Sequence, residues 1–135
     1  MIARATTQLM FQGQAEEAMD LYAEVFADAE IELIERVGDD GPGAGGSVQR
    51  AVFRLGEWRL YVIDSPVEHD FTFTPSSSFW VECDGEAEVD RAFALLADGG
   101  QVLMPLDSYP FNPRFGWVAD RFGVSWQLAL AGHHR

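Results

Sequence analysis

Two amphipathic helical segments, 71 residues apart, are the feature that most constrains the fold of this chain. Residues 15–26 and 86–97 each carry apolar side chains at helical spacing and two glutamates in the first turn. When the chain is shifted by 71 residues, Tyr22 aligns with Phe93 at the same point of the apolar stripe. Each helix follows one strand-like segment and precedes three. The sequence therefore predicts two copies of one strand–helix–three-strand unit.

This order of elements predicts an α+β fold, because one helix per module covers only one face of its sheet. We expect two βαβββ modules, at about residues 4–64 and 76–130, joined by a linker over residues 65–75. Side by side, the modules would form a curved, half-barrel mixed sheet with the helices outside. Polar residues on the other face would then line a cleft. A length of 135 residues with 47% hydrophobic residues suits a single domain with a core.

The clearest strand pair is predicted at the end of the second module, over residues 114–128. Asp120 and Gly123 suit the tight turn between the strands, because Asp bonds to its own backbone and Gly accepts positive φ. Beyond the turn, apolar and polar residues alternate. This alternation predicts one core face and one polar face, with Ser125 and Gln127 on the polar face.

The same alternation assigns residues of other predicted strands to a face. In the strand over residues 76–83, the side chains of Ser78, Trp80 and Glu82 share the polar face. In the strand over residues 5–11, Gln8 and Met10 face away from Leu9 and Phe11. Asp84 is the expected N-cap of the second helix. Residues 105–113 are expected to form a turn-rich connection.

The glycine-rich segment over residues 38–47, GDDGPGAGGS, formally matches the spacing of a dinucleotide-binding loop. That function requires a helix after the glycines, whereas residues 48–55 are predicted to form a strand. Asp39 and Asp40 would also repel a phosphate. We therefore predict a mobile hairpin connection or lid.

Charge and cysteine content exclude several classes of partner. Nine basic and 22 acidic residues give a formal net charge of −13, which repels nucleic acid and anionic membrane surfaces. Cys83 is the single cysteine, so no intrachain disulfide can form, and a reducing cytoplasm is expected. Its parity with the apolar residues of its strand predicts a buried side chain. Glu68, His69 and Asp70 are adjacent in the linker and are expected to be solvated, since neighbouring loop residues rarely converge on a metal.

The tryptophans and one arginine could contribute to a ligand site. Trp126 is expected in the core and Trp80 as a wall of the cleft, while Trp117 fits either setting. Arg114 could receive an anionic group of a ligand, or it could form a surface salt bridge with Asp107 or Asp120.

Four segments of the chain resemble the glyoxalase/bleomycin-resistance/dihydroxybiphenyl dioxygenase group, the vicinal oxygen chelate superfamily. They most closely resemble its PhnB-like branch. The segments are LMFQGQAEEAMDLYAEVF (residues 9–26), SFWVECDGEAEVDRAF (78–93), GGQVLMPL (99–106) and RFGWVADRFGVSWQL (114–128). The resemblance implies paired βαβββ modules and a homodimer. Many members of the superfamily also hold a divalent metal through one residue from each of four strands, and this metal polarises the substrate.

The metal positions implied by the resemblance are occupied by unusual residues in this chain. The first falls at Thr6 or Gln8, the second near Asp64, the third in the serine run that ends at Ser78, and the last at Gln127. Zinc and nickel prefer imidazole and charged ligands over neutral amides and hydroxyls. We therefore expect no metal and no other cofactor, with a divalent metal as the alternative.

These observations favour a small-molecule-binding protein of this superfamily that holds an aromatic or amphipathic metabolite without the usual catalytic metal. The alternative is a metal-assisted lyase, isomerase or dioxygenase that uses Gln8, Asp64 and Gln127, or Glu82 as a base. A third possibility is a homodimer whose aromatic residues serve assembly alone. No catalytic residue is assigned. The predicted cleft is lined by Gln8, Met10, Asp64, Ser78, Trp80, Glu82, Trp117 and Gln127.

Overall fold

The computed structural model of the protein describes residues 1–38 and 45–133. Its elements follow the predicted order of strand, helix and three strands, twice. The first module contains β1 (Gln8–Phe11), α1 (Ala15–Val25), β2 (Ala29–Arg36), β3 (Val48–Leu55) and β4 (Trp58–Asp64). The second contains β5 (Ser78–Cys83), α2 (Glu86–Ala97), β6 (Gln101–Tyr109), β7 (Asn112–Ala119) and β8 (Ser125–Leu130). The chain divides into two compact units, residues 1–70 and 71–135.

The first module is a four-stranded mixed sheet with one helix. The strand order is β1-β4-β3-β2, in which β1 runs parallel to β4 and the other neighbours are antiparallel. The buried stripe of α1 supplies the core, and Tyr22 meets Phe53 of β3 edge to face at 6.2 Å between ring centroids. Leu9 and Phe11 of β1 are also buried. The helix is thus held by burial of its apolar face.

The second module repeats this arrangement with the order β5-β8-β7-β6, in which only β5 and β8 are parallel. The predicted turn between β7 and β8 is present. Gly123 adopts a φ of 91°, and its N–H donates to the carbonyl of Asp120 at 2.8 Å. The α+β fold of two βαβββ modules is therefore confirmed.

Most predicted boundaries agree with the structure, and the differences have physical reasons. Residues 105–109 belong to β6 and are not part of a connection as expected. Pro105 is tolerated because β6 is the outer strand of its sheet, and the pairing with β7 shifts register between Met104 and Asp107. The N-cap of α2 is Gly85 and not Asp84, and it makes no side-chain cap hydrogen bond.

One sequence-based expectation falls largely on residues that the structure does not describe. The predicted lid over residues 38–47 lies largely outside the described residues, since residues 39–44 are not among them. Within the described ranges, none of the helices has the length and apolar composition that crossing a membrane requires.

Candidate functional site

The sheet of the second module has one face packed on α2 and one face turned away from it. Phe93 of α2 lies directly against Gly116 of β7, where a Cβ atom would come within 2.4 Å of the ring. Trp126 and Leu128 of β8 are completely buried. Because side chains alternate along a strand, Phe115 and Trp117 lie on the face opposite the helix. We call this surface the second-module face.

Three residues form a row across the second-module face. Trp80 of β5 is in register with Gln127 of β8, and Gln127 is in register with Trp117 of β7. All three side chains are half-buried. Register partners on neighbouring strands lie on the same face, so an amide is flanked by two indoles. The structure therefore resolves the ambiguity over Trp117 and places it beside Gln127.

A chain of hydrogen bonds runs beside this row on the same face. The indole N–H of Trp117 donates to Ser125 Oγ at 2.8 Å, and Ser125 Oγ lies 2.6 Å from Ser78 Oγ. Ser78 Oγ donates to the carbonyl of Pro75 at 3.4 Å and accepts from Gln127 Nε2 at 3.3 Å. Ser125 is buried and is the member of the network that the predicted cleft residues omit. Its parity with Gln127 was the sequence signal that could have identified it.

Aromatic rings continue the second-module face toward β6. The ring of Trp80 lies 5.6 Å from the ring of Phe115, which in turn contacts Phe111 at 4.8 Å and Tyr109 at 5.7 Å. The indole N–H of Trp80 donates to Glu82 Oε2 at 2.9 Å. Glu82 is exposed, so a carboxylate stands at the solvent side of the aromatic cluster. Trp80 is thus fixed in place by packing and by a charge-assisted hydrogen bond.

The first module places Gln8 and Met10 on the face of its sheet that lies away from α1. They alternate with the buried Leu9 and Phe11, and they are in register with Tyr61 and Ile63 of β4. Gln8 is exposed and Met10 is half-buried. The sequence-based assignment of these two residues to the face opposite the helix agrees with this geometry.

Asp64 has a different position from the one expected. It is in register with Phe11, on the helix side of the sheet, and only 7% of its surface is exposed. Oδ1 accepts the backbone N–H groups of Gly13 at 2.8 Å and Ala15 at 3.0 Å, and Oδ2 accepts that of Val48 at 2.8 Å. These bonds satisfy donors at the start of α1. This corrects the expectation that Asp64 lies on the polar face with Gln8.

The donors at the family's metal positions do not fit a divalent metal centre. Gln8 and Gln127 offer neutral amides, and Ser78 Oγ is engaged by two side chains. Asp64 directs both oxygens to backbone N–H groups. Among residues 1–38 and 45–133, no group of three or more His, Cys, Asp and Glu side chains could hold a metal. Metal ions of this class prefer charged or imidazole ligands, so no step is assigned to a metal.

Two other side chains mentioned in the sequence analysis have structural roles. Arg114 Nε donates to Asp90 of α2 at 2.7 Å, so it pairs with neither Asp107 nor Asp120 as the expected salt bridge would require. This hydrogen bond raises the pKa of Arg114. Asp120 is buried, and its Oδ1 accepts two backbone N–H groups of the β7–β8 turn.

Comparison with known proteins gives a consistent assignment. The sequence profile of the family described as 3-demethylubiquinone-9 3-methyltransferase matches residues 3–129. A PhnB protein from Bacillus cereus is 51% identical with a TM-score of 0.91, over 95% of this chain and 99% of that chain. Protein PA1353 from Pseudomonas aeruginosa is 28% identical with a TM-score of 0.83, over 96% and 98%. Lactoylglutathione lyase from Agrobacterium tumefaciens, at 18% identity, a TM-score of 0.56 and coverage of 97% and 96%, shares the fold alone. No curated protein matches the chain.

The two βαβββ modules give the chain a glyoxalase-like fold, which it shares with lactoylglutathione lyase from Agrobacterium tumefaciens. The profile match over residues 3–129 and the 51% identity to the Bacillus cereus protein identify the family. The chain belongs to the PhnB-like family described as 3-demethylubiquinone-9 3-methyltransferase. The resemblance inferred from the four sequence segments is thereby confirmed.

Proposed function

We propose that the protein binds a small aromatic or amphipathic molecule on the second-module face, without the catalytic metal used by many members of its superfamily. The observation that carries this proposal is the row of Trp80, Gln127 and Trp117 on the face that α2 leaves uncovered. Indole rings bind flat ligands through their large apolar area, and an amide between them can orient a polar group of the ligand.

The hydrogen-bond network supports a preformed binding surface. Trp117 is held by Ser125, and Trp80 is held by Glu82, so neither indole needs to be ordered when a ligand arrives. A side chain that is already fixed loses less conformational entropy on binding. The same face would therefore bind with little rearrangement.

A metal-assisted lyase, isomerase or dioxygenase is the competing function, and methyl transfer to a demethylated quinone is the activity in the family's description. The metal-assisted reactions require charged or imidazole ligands, which this chain supplies poorly, because Gln8, Gln127 and Ser78 are neutral and Asp64 bonds to backbone N–H groups. The test of the proposal must therefore separate binding from metal dependence.

Calorimetric titration with 1-naphthalenemethanol, a neutral aromatic alcohol, provides this test. We expect saturable binding that persists in EDTA and is lost in Trp80→Ala. The matched control is Trp58→Ala in the first module, where an exposed indole is removed at the start of β4 and binding should be retained. Absence of saturable binding of this probe and of its charged analogues to the unmodified protein would overturn the proposal. Binding that depends on added zinc, nickel or manganese would favour the metal-assisted enzyme instead.

A homodimer in the cytoplasm forms part of the same proposal. Several large apolar side chains are exposed, including Trp58, Phe71 and Val102, and such residues are common at subunit interfaces. Sedimentation equilibrium should give twice the chain mass of 15.0 kDa. A monomer at micromolar concentration would contradict the dimer without affecting the ligand proposal.

A further inference from the structure

The second-module face carries a negative charge and lacks a matching positive one in the part of the module that the structure describes. Glu82 is exposed beside Trp80 and places a carboxylate at the solvent side of the aromatic cluster. The arginines of residues 71–133 lie elsewhere: Arg91 is on α2, Arg114 pairs with Asp90 of α2, and Arg121 stacks on Phe122 in the β7–β8 turn at 4.8 Å. An anionic ligand on this face would therefore meet no arginine of residues 71–133.

The hydrogen-bond network also leaves more acceptors than donors unused on this face. The N–H of Trp117 is directed to Ser125, and the hydroxyl of Ser78 is directed to a backbone carbonyl. Gln127 directs one of its two amide N–H groups to Ser78, which leaves the carbonyl oxygen Oε1 and the second N–H without a partner among the described residues. Glu82 uses one carboxylate oxygen on Trp80 and has a second one available. The face therefore suits a ligand that donates hydrogen bonds.

We propose that the ligand of the second-module face is an aromatic or amphipathic amine that is protonated at neutral pH. This inference rests on the proposed small-molecule function and specifies the chemical class of its ligand. The indole of Trp80 attracts a cation to its π face, and Glu82 supplies the opposite charge at the edge of the indole. On the neighbouring strand, Gln127 Oε1 can accept a hydrogen bond from the ammonium group of the ligand. A carboxylate or phosphate in the same place would face two acceptors and a like charge.

Three naphthalene probes of nearly equal size test this inference. They are 1-naphthylmethylamine, which is cationic at pH 7, the neutral 1-naphthalenemethanol, and the anionic 1-naphthylacetate. We expect the amine to bind about five- to tenfold more tightly than the alcohol, the scale of one cation–π contact plus one exposed ion pair. The acetate should bind most weakly. Calorimetry measures all three dissociation constants.

Glu82→Gln isolates the charge, because glutamine retains an oxygen that can accept the N–H of Trp80. In this variant, the advantage of the amine over the alcohol should fall to about twofold, and this ratio of dissociation constants cancels any effect that the two probes share. The matched control is Glu57→Gln, an exposed glutamate in the turn after β3. Both variants reduce the formal net charge of −13 by one unit, so an equal loss in both would assign the preference to the overall charge and overturn the role of Glu82.

The failure of this inference can be distinguished from the failure of the proposed function. If the alcohol binds but the amine binds no more tightly, or the acetate binds better, the amine assignment is wrong and the binding function stands. If none of the three probes binds to the unmodified protein, the proposed function itself is refuted.

Discussion

Replacing Asp64 with asparagine should destabilise the protein without weakening ligand binding. The carboxylate accepts three backbone N–H groups, two from the residues that lead into α1 and one from the start of β3. An asparagine side chain keeps one carbonyl oxygen for two of these donors and turns an NH₂ group toward the third. Two donors would then face each other in a buried position.

The expected loss follows from the hydrogen bonds. A hydrogen bond to a charged group contributes about 1.5–3 kcal/mol and a neutral one about 0.5–1.5 kcal/mol. Asp64→Asn removes one charged bond, worth about 2 kcal/mol, and converts two others from charged to neutral bonds, a loss of about 1 kcal/mol each. We therefore expect a decrease of about 4 kcal/mol in the free energy of unfolding. For a chain of 135 residues, this corresponds to a decrease of roughly 14 °C in Tm.

Urea unfolding followed by far-UV circular dichroism gives the free energy, and calorimetry with 1-naphthalenemethanol gives the affinity of the folded protein. Asp28→Asn is the matched control, because this exposed aspartate lies in the turn before β2 and should change stability by less than about 0.5 kcal/mol. The reasoning is refuted if Asp64→Asn retains the original stability and loses the ligand. That result would return Asp64 to the binding site.

Three further substitutions test other contacts. Gly100→Ala should lower the free energy of unfolding by at least about 2 kcal/mol, because a Cβ atom would lie 2.2 Å from the backbone carbonyl oxygen of Ala119; an unchanged urea midpoint would contradict this close approach. Glu16→Gln should cost about 0.5 kcal/mol at pH 7. The hydrogen bond from Arg36 lowers the pKa of Glu16. The stabilisation from Glu16 is therefore fully present above the ordinary pKa of 4.5 and is lost as the pH falls through the lowered pKa of the folded state. If the difference in stability between the unmodified protein and Glu16→Gln grew toward low pH, it would contradict this sign. Ser125→Ala should cost about 1–2 kcal/mol in urea unfolding, because it leaves an indole N–H without its acceptor, and a neutral effect would show that water replaces the hydroxyl.

The helices and their repetition could be predicted from the sequence because amphipathic spacing reports directly on burial. Both helices begin at the predicted residues, Ala15 and Glu86, and the bounds of β3 and β4 also agree. The polar face of the second module was predictable for the same reason, since Ser125 and Gln127 alternate with buried neighbours. Periodicity is a reliable signal where one side of an element is apolar and the other is polar.

Asp64 could not be placed because its strand provides no such contrast. Residues 60–63 of β4 are apolar on both faces, so alternation does not indicate which face the terminal aspartate joins. In sequence, a buried aspartate cannot be distinguished from one that binds a metal or a small molecule. The backbone N–H groups that Asp64 accepts are 16 to 51 residues away along the chain, so no local pattern reveals them. The extent of β6 was missed for a related reason: Pro105 normally ends a strand, and only its position in an outer strand permits it.

The two modules share their apolar pattern but not their polar anchors, and the proposed ligand surface belongs to the module whose buried aspartate supports a turn between strands. In the first module, the buried aspartate holds the N-terminus of α1. In the second, the buried Asp120 instead binds the β7–β8 turn and the indole N–H of Trp126, while α2 begins without a side-chain cap. Fixing that turn fixes the start of β8, and therefore the positions of Ser125 and Gln127 on the opposite face. The apolar stripe of each helix is sufficient to build the module, but the aspartate in the turn is what aligns the network that holds Trp117. We accordingly expect the ligand surface in the second module, where the buried Asp120 supports the start of β8, and not in the first, where Asp64 holds a helix end.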